Sequence, residues 1–250
     1  MRPAARVSTR TLCGESTDGE HDGPLKFDPP PAKGLDSSAM TVRNGVPWQE
    51  FTRNEQLGSA FRARHSVPGD AFVFGMIARL TYLKGIDVAL HALHLLLEQG
   101  VGRAIRLVIA GTGSKESEYR ALADQLGLTS LVVFAGFIDN PVEALSAYDV
   151  ILFASRREGL PLALLEGMAA GCIPIVTRIS GMPEAVNSDA IGRVVCPEDP
   201  RGLCAAMQDV LALHPAEITK MRRKAVDRIR ESFDINASHR QIVDLCGLTT

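Results

Sequence analysis

The run DVILFASRREGLPLALLEGMAAG, residues 149–171, decides how this chain folds. Its first five residues, Asp149 to Phe153, are an apolar, β-branched run of strand length. A turn through Gly159 follows, and a helix is expected from Pro161, because proline suits the first helical position. A buried strand that ends, turns and opens a helix is the usual ligand-binding corner of a parallel α/β sheet. The helix N-terminus offers unpaired backbone N–H groups and a partial positive charge, which suit a phosphate. Two carboxylates, Glu158 and Glu166, sit eight positions apart across this corner. Both would repel an anion. An ionised carboxylate, however, offers only acceptors and matches the hydroxyls of a vicinal diol. A phosphate cradle bordered by two diol acceptors suggests a sugar nucleotide.

The same alternation extends on both sides of this corner. Strand-length apolar runs occur at 71–77, 105–110, 131–135, 150–153, 173–176 and 192–195. Helical stretches lie between them at 86–99, 115–126, 141–147, 161–170, 183–187 and 200–213, and two more, at about 217–231 and 235–246, close the chain. Asp199-Pro200 is a strong helix start, a capping acid followed by proline in the first turn. Short buried strands alternating with helices predict an α/β fold with a doubly wound parallel sheet. No internal repeat is visible. Residues 70–250 are therefore read as one ligand-binding domain.

Residues 1–40 are rich in Pro, Gly, Ser, Asp and Lys, with three prolines in a row at 29–31. Such a segment cannot bury enough apolar surface to offset its ordering entropy, and a disordered tail is expected. Residues 41–69 read as a linker or the remnant of a preceding domain: Asn44-Gly45-Val46-Pro47 is a turn signal, and a short helix is expected somewhere in 51–61.

Composition narrows the function. The net charge is −2, from 27 basic and 29 acidic residues, so no nucleic-acid or acidic-membrane partner is indicated. No apolar run approaches the ~18 residues a membrane helix needs, and the first residues do not form a secretory signal. Five scattered cysteines without a C-x-x-C pair read as reduced thiols, most of them small core residues. A cytoplasmic location is expected, peripheral to the inner membrane face only through a partner.

Each remaining motif falls just beyond a predicted strand. Arg79 and Lys84 share the loop after the first one; Arg can grip a phosphate with two N–H groups and Lys adds a mobile charge. Together they could stabilise a departing diphosphate without a metal, or be two solvated loop charges. Gly111 and Gly113 follow the second strand and permit close approach of a ligand or of a neighbouring strand. Phe137 and Ile138 follow the third and could flank a nucleotide base or belong to the core. Glu166 could equally be a surface glutamate. Glu184 reads as a first-turn helix acid, and His91 and His94 lack a carboxylate or cysteine to complete a metal site. No metal ligand set and no cofactor is predicted.

Taken together these residues resemble the C-terminal, donor-binding domain of family-4 retaining glycosyltransferases with the GT-B fold. The likeness runs from about Val42 to the C-terminus. Its carriers are Asn44-Gly45-Val46, Ala78-Arg79-Leu80 with Lys84-Gly85, Ala110-Gly111-Thr112-Gly113, Phe134-Ala135-Gly136-Phe137, Glu158-Gly159-Leu160 through Glu166, and Gly181-Met182-Pro183-Glu184. The resemblance implies that Arg79 and Lys84 hold the donor diphosphate and that Glu158 contacts the transferred sugar. It implies that Glu166 binds the ribose hydroxyls and that the backbone of Gly159, Leu160, Pro161 and Leu162 assists at phosphate and sugar. It further implies transfer with retention of anomeric configuration, often without a metal.

Two local departures stand out: Ser180-Gly181 where the family often has two glycines, and Gly167 where alanine commonly follows the second glutamate. The larger departure is length. Fewer than 70 residues precede the first predicted strand, too few for the family's N-terminal acceptor-binding domain, since one βαβ unit takes ~30 residues. The expected function is transfer of a sugar from a nucleoside-diphosphate sugar to a glycan, lipid-linked or other acceptor, with the acceptor domain supplied by another chain. The alternatives are a non-catalytic nucleotide-sugar-binding remnant or partner subunit and, fitting the spacing less well, a sugar-nucleotide epimerase.

Overall fold

The computed structural model describes residues 42–246, so the tail expected at 1–40 lies outside the described residues. All six expected strands form, each within one residue of the bounds read from the sequence: β1 (Phe72–Ile77), β2 (Ile105–Ala110), β3 (Val132–Gly136), β4 (Val150–Phe153), β5 (Ile173–Thr177) and β6 (Arg193–Val195). They make one sheet in the order β3-β2-β1-β4-β5-β6, and every neighbouring pair is parallel. Order and direction together are those of a doubly wound, Rossmann-like sheet.

The helices are α1 (Glu55–Arg64), α2 (Ile86–Glu98), α3 (Glu116–Gln125), α4 (Pro141–Ala147), α5 (Leu162–Ala169), α6 (Met182–Ala185), α7 (Pro200–Leu211), α8 (Pro215–Ser232) and α9 (Ile235–Leu245). Two starts differ from the sequence reading, and each has a capping cause. Asn54 caps α1 by accepting from Leu57 N at 3.1 Å. His214 and Glu217 form a reciprocal capping box that starts α8 at Pro215.

Alternation along the strands explains why both faces are covered. Phe72, Phe74, Met76, Leu107, Ile109, Leu152 and Ile175 point to one side, beneath Leu90 and Leu93 of α2, Tyr119 of α3 and Met207 of α7. Val73, Val108, Ile151, Phe153 and Val176 point to the other, beneath Leu145 of α4, Leu164 and Met168 of α5, and Ile229 of α8. Side chains alternate with period two, so a strand apolar at every position must be roofed twice. Each fully buried large side chain contributes roughly 1.5–3 kcal/mol. Gly75 sits on the second face because a Cβ there would stand 1.9 Å from Cδ2 of the fully buried Tyr148.

Residues 42–69, expected to be a linker or remnant, pack into the same body. Phe61 is fully buried, and Val46 pairs in parallel with Asp234. Arg53 donates to the carbonyls of Ser146 (2.6 Å), Ala170 (3.2 Å) and Tyr148. Arg62 donates to Ala147 O at 2.7 Å and Ala71 O at 2.9 Å. Attachment through one aromatic and two guanidinium groups leaves little periodic signal in the sequence. Of the thiols, Cys172 and Cys204 are free and buried and Cys246 is free and exposed.

One carboxylate fastens the amino edge of the sheet. Asp149 accepts from Val73 N (2.8 Å), from Arg62 Nη2 (3.2 Å) and from Arg222 Nη2, so it joins β1, α1 and α8. Asp149→Ala would leave an N–H and two largely buried guanidinium groups without this acceptor. Loss of one partner of such a network costs about 3–5 kcal/mol. Urea unfolding of the variant should show a loss of that size, and a change below about 1 kcal/mol would contradict this account.

Candidate functional site

The chain leaves β1 toward β2 on one side and leaves β4 toward β5 on the other, so the loops after β1 and β4 diverge at the centre of the sheet. This switch point is where α/β sheets bind ligands. It brings together residues that are distant in sequence. Lys84, on a single 3₁₀ turn at Tyr82–Lys84, forms an ion pair with Glu158, 74 positions away. The two side chains are 25% and 12% exposed, so the pair is shielded from bulk water.

Both loops are held from behind. Gly85 adopts φ +63°, and a Cβ on it would stand 1.9 Å from Ala154 O. Only glycine allows the β1 loop to lie this close to the β4 loop. Ser155 is buried; its Oγ donates to Glu158 Oε1 at 3.2 Å, and its carbonyl accepts from buried Thr177 Oγ1 at 2.8 Å. Ser155 and Thr177 had no assigned role in the sequence reading. The signal was present for Ser155, a hydroxyl three residues before the glutamate it supports.

The other expected residues are distributed around this pair. Arg79 is exposed and makes no side-chain ion pair among the described residues. Gly159 is exposed, and a Cβ there would meet nothing within 4 Å, so its backbone is open to a ligand. Leu160 and Pro161 are half-buried and Leu162 is exposed. No side chain caps the first N–H groups of α5; Pro161 occupies the N-cap rather than the first helical position. Glu166 is half-buried one turn into α5 and has no side-chain partner among the described residues. Burial pushes its carboxyl above the ordinary carboxylate value.

Gly111 and Gly113 show the second of the two uses foreseen for them. At φ +129°, a Cβ on Gly111 would stand 2.0 Å from Ala78 O, and one on Gly113 would stand 2.3 Å from Leu80 O. They let the β2 loop press on the β1 loop. Phe137 is 73% exposed, while Ile138 is half-buried and packs on the core. Glu184 lies in the first turn of α6, as expected, paired with Arg43.

The two local departures have physical explanations. Ser180 adopts φ +43°, the left-handed region that glycine tolerates best. A Cβ on Gly167 would fall 3.0–3.1 Å from the Ile151 side chain, so the smaller residue fits the larger neighbour. Away from the switch point, a concavity of about 590 Å³ lined by Arg62, Asp70, Arg103 and Asp149 opens at the opposite, amino edge of the sheet. It contains none of the residues above. At the switch point Arg79, Gly159 and Leu162 are exposed to solvent. Among the described residues, no group of three or more His, Cys, Asp or Glu could hold a metal ion.

Known proteins are similar to this chain in sequence and in fold. WcaL of Escherichia coli (strain K12), named for colanic acid biosynthesis as a glycosyltransferase, is 35% identical over 178 residues, which is 68% of this chain and 43% of that protein. The D-inositol 3-phosphate glycosyltransferase of Corynebacterium urealyticum is 30% identical over 82% of this chain and 50% of its own length. The chain thus spans about half the length of these curated relatives. Among solved structures, Anabaena HepE in complex with UDP and glucose superposes with a TM-score of 0.75 at 19% identity, covering 83% of this chain and 56% of that one. The C-terminal domain of the glycosyl transferase group 1 family protein LpcC from Francisella tularensis superposes with a TM-score of 0.67 at 23% identity, covering 76% of this chain and all of that one. These two show the GT-B half-fold. The family model for glycosyl transferases group 1 matches residues 59–232, and with the switch-point geometry this establishes that the chain belongs to that family.

Proposed function

We propose that this chain is the donor-binding half of a retaining glycosyltransferase and takes a nucleoside-diphosphate sugar. The observation that carries the reading is the shielded Lys84–Glu158 pair at the switch point, with an unpartnered, half-buried Glu166 eight residues beyond Glu158. The uncapped N-terminus of α5, Arg79 and Lys84 would receive the diphosphate. Glu166 would accept from the ribose diol, with Phe137 and Ile138 beside the base. Glu158 would position the transferred sugar and oppose the positive charge that grows on its ring. The anomeric C–O bond to the diphosphate breaks, a bond to the acceptor oxygen forms on the same face, and the acceptor's proton leaves with the departing phosphate. Arg79 and Lys84 supply the charge stabilisation for that departure without a metal.

Structures titled as complexes with UDP, and with UDP-glucose, are among the fold relatives, which makes UDP the first probe. The relatives named for colanic acid biosynthesis suit an acceptor in polysaccharide assembly. A second polypeptide segment, from this or another chain, would bind the acceptor. No described helix is long and apolar enough to cross a membrane, and we place the reaction on the cytoplasmic side, peripheral to the membrane through that partner.

Calorimetric titration with UDP tests the donor reading. Hydrogen bonds to a charged group contribute about 1.5–3 kcal/mol each, so Glu166→Ala should bind UDP at least about tenfold more weakly. Equal affinity would remove Glu166 from the ribose site. The sign of its stability effect is opposite. Because burial raises its pKa in the folded state, the charged form is disfavoured there, and that contribution to stability is lost as pH rises through the raised value. Glu166→Gln should therefore resist urea at pH 7 as well as the wild type or better while binding UDP more weakly.

Glu158 separates binding from transfer. Glu158→Gln should keep UDP affinity within about threefold and lower sugar transfer, or donor hydrolysis, by at least about a hundredfold, the scale of losing one electrostatic group at a reacting centre. Donor binding with no turnover by the wild type, even with an acceptor-binding half added, would instead favour a non-catalytic nucleotide-sugar-binding subunit.

A further inference from the structure

Arg156 is the most heavily engaged side chain near the switch point, and no role falls to it in the reaction as described. Its side chain is 10% exposed. Nη1 and Nη2 grip Asp87 at 2.9 and 2.7 Å, and Nη1 also donates to Tyr82 O at 2.8 Å. The guanidinium carbon lies 3.9 Å from the centroid of the Tyr82 ring, and Nε stands 3.5 Å from Glu198 Oε1. Its backbone N–H donates to Leu83 O at 2.8 Å. Every one of these partners except Glu198 belongs to the 3₁₀ turn that carries Lys84 or to the first turn of α2 just after it. Arg156 itself stands two residues before Glu158. Burial alone would raise the Asp87 carboxyl, but the Arg156 hydrogen bonds and charge outweigh it and hold the group below its ordinary value.

We propose that Arg156 is a positioning residue for the donor site: it clamps the Lys84 turn to the Glu158 loop and so sets where the diphosphate-binding ammonium stands. The inference rests on the donor reading above. The clamp needs arginine for a geometric reason. A planar fork with five donors can bind a carboxylate with two nitrogens, reach a carbonyl and stack on a ring at once. An ammonium keeps the charge but not the fork or the stacking. Tyr82 is 55% exposed, so it is held on one side by Arg156 and free on the other. Apart from the clamp, this three-residue turn is fixed by the Lys84–Glu158 pair, by Gly85 packed on Ala154 and by the Arg156 N–H bond to Leu83 O.

The test uses the full chain carrying Arg156→Lys, with Asp87→Asn as a second variant that keeps side-chain shape. In the ligand-free protein, amide hydrogen exchange over residues 80–86 should quicken about tenfold in either variant while β1, β4 and β5 exchange as in the wild type. UDP should bind about tenfold more weakly, and uridine, which lacks the diphosphate, should bind as before. In a Lys84→Ala background, Arg156→Lys should add no further loss, because it acts through the residue already removed. The proposal is overturned by unchanged exchange at 80–86, by unchanged UDP affinity, or by a full additional loss in the Lys84→Ala background. Failure of the wild type to bind UDP would overturn the donor reading, and the positioning role with it. That outcome is distinguishable, because the exchange arm would still show the clamp.

Discussion

The site depends on how closely the loop after β1 approaches its neighbours on both sides. On one side Gly111 and Gly113 bring the β2 loop to within a missing Cβ of Ala78 O and Leu80 O. On the other side Gly85 does the same against Ala154 O. Backbone bonds then lace the carboxyl edge: Gly111 N to Gly136 O, Leu80 N to Thr112 O, Lys115 N to Leu80 O, Arg156 N to Leu83 O and Arg178 N to Val195 O. Each loop satisfies the polar groups of the next, so they need not be satisfied by water or by the loop itself. A single Cβ at position 85 or 111 would separate two loops and move Lys84 or Arg79 with them. The glycines thereby set where the charged side chains of Arg79 and Lys84 begin.

The two edges of the sheet differ in how completely charge is paired, for the carboxyl edge pairs Lys84 with Glu158 and Arg156 with Asp87 but leaves other charges open. At the amino edge Arg62 and Arg53 donate to backbone carbonyls, and Asp149 accepts from Arg62 and from Val73 N. At the carboxyl edge Arg79 is exposed and unpaired among the described residues, Glu166 is half-buried without a partner, and Phe137, Tyr82 and Leu162 are exposed. Groups left unsatisfied in a folded protein are expected where a ligand supplies the partner, and their destabilising effect is offset elsewhere. Here the amino edge provides that offset. The raised Glu166 carboxyl and the depressed Asp87 carboxyl mark the two roles, one waiting for a partner and the other already holding one.

Strands were legible because they are short apolar runs bounded by turn and helix signals, and a run such as Phe72 to Ile77 is too short for a buried helix. The positions of Arg79, Lys84 and Glu158 were legible as strand-end residues, and that of Glu166 as lying inside the helix that follows β4. What holds them was not. Arg156 and Asp87 are 69 positions apart and Arg62 and Asp149 are 87 apart, and no local pattern links such pairs. Gly111 and Gly113 carried the same sequence signal whether a ligand or a neighbouring loop approached them. The attachment of residues 42–69 was hidden because α1 buries little more than Gly58 and Phe61. Capping residues Asn54 and His214 were readable in principle, and overlooking them displaced two helix starts.

A site whose cations face solvent can bind a nucleotide but is poorly suited to transfer a sugar. Two charges attract several-fold more strongly once water is excluded, because the effective dielectric constant falls from about 80 toward about 20 or less. The Lys84–Glu158 pair already sits partly in such an environment, whereas Arg79 and Leu162 at the start of α5 face solvent. A departing diphosphate would therefore be stabilised by one shielded cation and one solvated one. Excluding water from these residues would bring Arg79 toward the strength that Lys84 already has, and would bury the exposed Tyr82, Phe137 and Leu162 in the same step. On the donor reading, affinity for the nucleotide resides in this half of the cleft, and the rate of transfer waits on whatever body closes over it.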